Sequence, residues 1–189
     1  MSTWYRFRSW RIAPRFAAAA AASTAAAALM AAPAYATTND YGMPSKTFNY
    51  VTSGINPTWV QHFDTANIRW NQRVASHIGR DTRSPSTATA AYYRNESWYG
   101  LTTTYGAHRD SHRYVKIQMN LQTITRDYFH STEELVRYSR IFITHELGHA
   151  LCLADNPNTR QVSIMKYSDW GRTDVPTPYD IADVRRVYR

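Results

Sequence analysis

The sequence predicts an α+β domain: a mainly strand-built layer with a first helix, a long central helix and a C-terminal helix packed against it. Two periodicities and their order along the chain carry this expectation. Residues 47–52 and 114–121 alternate in the strand period, whereas Val60, Phe63, Trp70, Val74 and Leu135, Tyr138, Phe142 recur at helical spacing. The order is strand, helix, several strands, long helix, irregular segment, helix.

The first 36 residues stand apart from this pattern. Arg6, Arg8, Arg11 and Arg15 form a basic opening without an acidic residue, residues 16–32 are apolar and mostly alanine, and Ala34, Tyr35 and Ala36 make an A-x-A cleavage site. Residues 1–36 are therefore expected to be a signal peptide cleaved after Ala36. A membrane anchor is the weaker reading, because a short stretch dominated by alanine spans poorly. The expected product is one secreted domain, residues 37–189, with no stable membrane association after cleavage and no long pro-segment before its first strand. Roughly 150 residues can bury a core of their own. Cys152 is the only cysteine, so packing and not an internal disulfide must stabilise the domain. Four of the 22 Lys+Arg leave with the signal, and the remaining 18 face 14 Asp+Glu without clustering. Nothing there would track a phosphate backbone, so no nucleic acid partner is expected.

Within the mature part, residues 37–46 read as a loose polar arm and residues 47–52 as the first strand. Asn56 caps a helix with Pro57 at its first position, running to about Ala75. Residues 80–87 are a loop around Ser84 and Pro85, residues 87–94 and 98–105 read as strands, and residues 106–112 as a turn. In the strand over residues 114–121, Val115, Ile117, Met119 and Leu121 share one face. Ser131 and Glu134 fit a capping box that opens the long helix. Asn156 and Pro157 mark a stop beyond it. Thr177 and Pro178, with Asp180 in the first turn, open a last helix whose buried stripe is Ile181, Val184 and Tyr188.

The long helix carries His145, Glu146, Leu147, Gly148 and His149, an unbroken H-E-x-x-H. Histidines four residues apart lie one turn apart on one helix face, where both imidazoles can reach a single zinc ion. Glu146 sits about 100° round the helix from His145, beside such an ion and not on it, where a general base can take a proton from water. With seven histidines in the chain the string arises by chance in about one of 200 sequences of this composition, so its context decides. A hydrolytic zinc site needs a third protein ligand and an open fourth position. Asp155 stands at the last place of the extended pattern H-E-x-x-H-x-x-G-x-x-H, with a carboxylate in place of imidazole. Cys152 is the other candidate, since on a continuing helix it returns to the face of His145 and could offer a thiolate. His62, His77, His108, His112 and His130 read as surface or loop histidines.

Residues 145–155 resemble the metzincin zinc metallopeptidases, and aspartate at the last position resembles the small secreted bacterial neutral proteases called snapalysins. Ser163, Ile164, Met165, Lys166 and Tyr167 resemble the family's Met-turn, S-I-M-x-Y, and residues 178–181 are similar to the opening of the last helix in matrixin-like members. The resemblance implies a metzincin-like twisted mixed β-sheet and a secreted, extracellular zinc metalloendopeptidase, a monomer acting on protein or peptide substrates. It implies that His145, His149 and Asp155 bind one catalytic Zn2+, that Glu146 is the general base, and that Met165 forms an apolar floor under the metal. Tyr167 would stand where some members place a tyrosine that binds zinc or steadies the tetrahedral intermediate. The strand over residues 98–105 would hold substrate as an added strand. The letters specify no structural Ca2+ ion. One departure is Cys152, which replaces the family's turn glycine; if that residue needs positive φ, a Cβ costs about 1 kcal/mol there. The departure also supports an alternative, a secreted non-catalytic binding protein that keeps the metzincin fold.

Overall fold

The computed structural model describes residues 38, 40–107 and 110–189, so the expected signal peptide, its cleavage site and His108 lie outside the described residues. Among the described residues five strands form one sheet in the order β2-β1-β3-β5-β4. They are β1 (Thr47–Thr52), β2 (His77–Arg80), β3 (Thr87–Ala91), β4 (Gly100–Tyr105) and β5 (Tyr114–Asn120). β1, β2, β3 and β5 run parallel, and β4 alone is antiparallel, joined to β5 along the edge. Among the described residues four α-helices accompany the sheet: α1 (Pro57–Val74), α2 (Leu121–Tyr128), α3 (Thr132–Ala150) and α4 (Pro178–Val187). The architecture is thus mixed α/β with a mostly parallel sheet. No helix among the described residues is long and apolar enough to cross a membrane.

Local chemistry explains most of these bounds. Asn56 accepts from the Trp59 amide ahead of Pro57, and Ser131 accepts from the Glu134 amide, so the first turns of α1 and α3 have donors satisfied where the sequence places caps. Thr177 and Asp180 form a complete capping box on α4. Two elements escape the sequence pattern. β2 is four residues long with Gly79 inside it, and exists because β1 offers a parallel partner. α2 follows β5 directly through residues where a continuing strand end was expected; Asn120 caps it by accepting from Gln122, and its Thr123, Ile124 and Thr125 are β-branched residues with low helix propensity.

Alternation along β1 buries Phe48 and Tyr50 and exposes Thr47 and Asn49, and along β5 it buries Val115, Ile117 and Met119. α1 and α3 complete the core with Phe63, Ala66, Trp70, Phe142 and Leu147. Two polar links fix the depth of α1: the Tyr50 hydroxyl donates to Asn67 at 3.0 Å, and the Trp70 indole donates to the Thr144 carbonyl at 2.8 Å. The second link holds α3 at the residue before His145. His62 is not the surface histidine expected: it is buried on α1, its ring against Trp59 and within 3.4 Å of the Arg140 guanidinium. Burial, with Arg140 adding to it, pushes its imidazole down to about 4.

Candidate metal centre

Both motif histidines are oriented by backbone carbonyls. The His145 Nδ1 lies 3.0 Å from the Ile164 oxygen and the His149 Nδ1 2.8 Å from the Leu153 oxygen. A carbonyl only accepts, so each Nδ1 carries the proton and each Nε2 is left free as a ligand atom. Sequence reasoning did not find these two orienting groups, because any residue type supplies a carbonyl.

α3 ends at Ala150, and the chain turns out of the helix through Cys152, whose φ of 65° lies in the left-handed region. The position therefore needs the conformation that glycine adopts most readily. Its thiol is directed to the Met43 carbonyl at 3.5 Å and the Tyr188 hydroxyl at 3.4 Å, not to the histidines. Gly42 packs so closely on this turn that a Cβ there would overlap Cys152. Burial pushes the thiol up, the opposite of what a metal-binding thiolate needs.

The turn delivers Asp155 to the histidines. Its Oδ1 is buried and stands 3.2 Å from His145 Nε2 and 3.4 Å from His149 Nε2, facing both nitrogens without a well-aligned hydrogen bond to either. Three lone-pair atoms converge on one point and repel unless a cation lies among them. Two ligand atoms on a tetrahedral zinc at about 2.0–2.1 Å stand about 3.3–3.4 Å apart, so these separations and the N, N, O donor set fit that ion. Without metal, the cation can be a proton: burial opposes it, but the Asp155 and Glu146 carboxylates outweigh burial and push His149 up to about 9. The same pairing holds Asp155 well below the usual carboxylate range, although its own burial acts the other way.

Glu146 closes the group, with a carboxylate oxygen within 4.8 Å of the ligand atoms of both histidines. Its Oε2 accepts from the Thr102 hydroxyl at 2.8 Å on β4. Tyr167 donates to the other oxygen of Asp155, Oδ2, at 2.5 Å, so in this structure it holds the carboxylate and leaves Oδ1 for the histidine side. Met165 is fully buried against Gly148, where a Cβ would overlap its sulfur. Its segment is latched by buried Asp180, which accepts from Ser163 Oγ at 2.5 Å and the Ile164 amide at 3.1 Å while also capping α4. The Trp170 indole donates to the same Ile164 carbonyl that orients His145. The structure thus brings His145, Glu146, His149, Asp155 and Tyr167 together, packs Met165 against Gly148 of the same helix, and directs Cys152 away from the histidines. Thr102 was missed, and no spacing rule could have found it, since it joins the site only through tertiary packing; Asp180 was read from the sequence only as part of the start of α4, and its hold on the Met165 segment is seen only in the structure. A shallow groove along α1 and β2, lined by Asp64, Ile68 and Arg80 among others, shares no residue with this site. The chain matches no protein-family model and no curated protein.

Proposed function

We propose that the protein is a secreted zinc-dependent endopeptidase of metzincin type, closest to the snapalysin-like group, with residues 37–189 as its catalytic domain. One observation carries the reading: a buried carboxylate oxygen at tetrahedral-edge distances from two imidazole nitrogens, with a second carboxylate beside them. A bound zinc ion would supply the Lewis acid that polarises a peptide carbonyl and acidifies water at neutral pH.

His145, His149 and Asp155 would hold the ion, their orientation set by the Ile164 and Leu153 carbonyls and by Tyr167. Glu146 takes the proton of the attacking water on a carboxylate oxygen and delivers it to the leaving amine nitrogen. β4 is an edge strand, so its outer backbone groups are available to hold an extended peptide by main-chain hydrogen bonds. Recognition of this kind reads backbone more than side chains, which suits a secreted protease of protein substrates acting as a monomer.

Casein clearing by purified mature protein, with and without a chelator, tests the reading. Cleavage that is lost with chelator and restored by zinc is the expected result. No cleavage at any zinc level turns the reading to the non-catalytic binder.

A further inference from the structure

Thr102 and Gly100 stand on the same face of β4, two residues apart, and both meet Glu146. The Thr102 hydroxyl lies 2.8 Å from Glu146 Oε2 and 3.0 Å from the Glu146 backbone oxygen, so its single proton serves one side chain and one turn of α3. At Gly100 a Cβ would stand 2.5 Å from Glu146 Oε1 and 2.6 Å from its Cγ, which means the carboxylate occupies the space that any other residue would fill. Glu146 is 5% exposed, and among the described residues no hydrogen bond engages Oε1. One oxygen is held by Thr102, the other lies in the space beside Gly100, and the carboxylate reaches within 4.8 Å of the ligand atoms of both histidines.

We infer that β4 is the positioning element of the general base: Thr102 fixes the Glu146 carboxylate, and the missing side chain of Gly100 admits it. The inference rests on the peptidase reading above, and it adds a coupling to it. The strand whose outer edge would hold the substrate backbone also fixes the base on its inner face, so the distance from base to scissile bond is set within one element. Neither residue touches the reacting atoms. Thr102 supplies a donor to a charged acceptor in a nearly water-free place, where losing it leaves the carboxylate free to swing.

The test uses the mature protein loaded with zinc, with kcat and KM read on an internally quenched casein-derived peptide. Thr102→Val keeps the β-branched shape and puts a methyl group, which cannot donate, in place of the hydroxyl. It should lower kcat about ten- to a hundredfold with KM and zinc content unchanged. Thr102→Ser should restore most of kcat, and Gly100→Ala should lower it like Thr102→Val. A second readout needs no turnover: with 13C-carboxyl-labelled glutamate the chain gives four side-chain resonances, and the one absent from Glu146→Gln should move in metal-free Thr102→Val and return in Thr102→Ser. An active wild type whose kcat survives Thr102→Val within twofold overturns the inference and leaves the peptidase reading standing. An inactive wild type overturns the peptidase reading, and the carboxyl resonance then decides alone: no movement in Thr102→Val removes Thr102 as the holder of Glu146.

Discussion

Glu146 gives one oxygen to Thr102 and keeps the other, and an amide at this place would preserve that arrangement. Glutamine still accepts from Thr102 through its carbonyl oxygen and fills the same space beside Gly100, but its amide nitrogen cannot take a proton from water. Glu146→Gln is therefore expected to bind zinc as the wild type does and to lose at least about a thousandfold in kcat. Single-turnover cleavage with metal content measured in parallel checks this, and near-normal turnover removes Glu146 from its role. The third ligand separates in the same way. Asp155→Ala deletes the oxygen that faces both histidines and should cost zinc affinity more than the about 10- to 100-fold typical of losing a supporting partner. Cys152→Gly relieves a Cβ at φ 65° and loses a buried thiol, two effects of about 1 kcal/mol that oppose each other, so affinity and stability should both stay near wild type. Competition with a chromophoric chelator reads both variants. Weakened binding in Cys152→Gly, with Asp155→Ala unaffected, would reverse the assignment.

At the scale of elements, the junction of α3 with the Met165 segment is the tightest in the site. Gly148 is a poor helix residue, and alanine there would improve propensity by about 1 kcal/mol in an exposed helix. Here the new methyl would overlap the Met165 sulfur and crowd the Trp70 ring at 3.3 Å. Overpacking of that kind costs about 1–3 kcal/mol, so Gly148→Ala is expected to destabilise the metal-free protein in urea despite its better propensity. A gain in stability would show that Met165 yields freely and is no rigid floor. The same elements explain what was legible in the sequence. α1, α3, α4 and β1 announce themselves because caps and apolar period agree in the same residues: Asn56 with Pro57, Ser131 with Glu134, Thr177 with Asp180. β2 and α2 do not, because four residues around Gly79 have no period of their own and α2 is built from β-branched residues that only its place beneath β3 and against α3 makes helical. Parallel strand order was invisible for the same reason, since pairing is decided by partners distant in the chain. The ligand set was legible because its spacing is local. What holds the ligands is not, since Ile164, Leu153 and Thr102 act through two backbone oxygens and one hydroxyl.

For the molecule as a whole, the site couples stability to pH with a sign that depends on metal. In the metal-free protein His149 is pushed up to about 9 from an ordinary 6.5, so protonating it stabilises the fold fully below 6.5, and that contribution fades as pH rises through 9. Asp155 is shifted downward, so its contribution is full above about 4 and is lost on further acidification. The metal-free site is therefore most favourable between about pH 4 and 6.5. Zinc reverses the alkaline side, because it requires His149 neutral at Nε2. Near pH 7.5 each ion should displace about one proton, and affinity should rise about tenfold per pH unit until about pH 9. Bound metal stabilises the fold in proportion to the logarithm of its affinity, so the gap in Tm between zinc-loaded and chelated protein should widen steadily from pH 6 to pH 9. Titration calorimetry in two buffers of different ionisation enthalpy counts the released proton directly. A gap that stays constant with pH, together with no proton released, would mean that zinc does not compete for the nitrogen of His149 facing Asp155, and the ligand set built on it would fall.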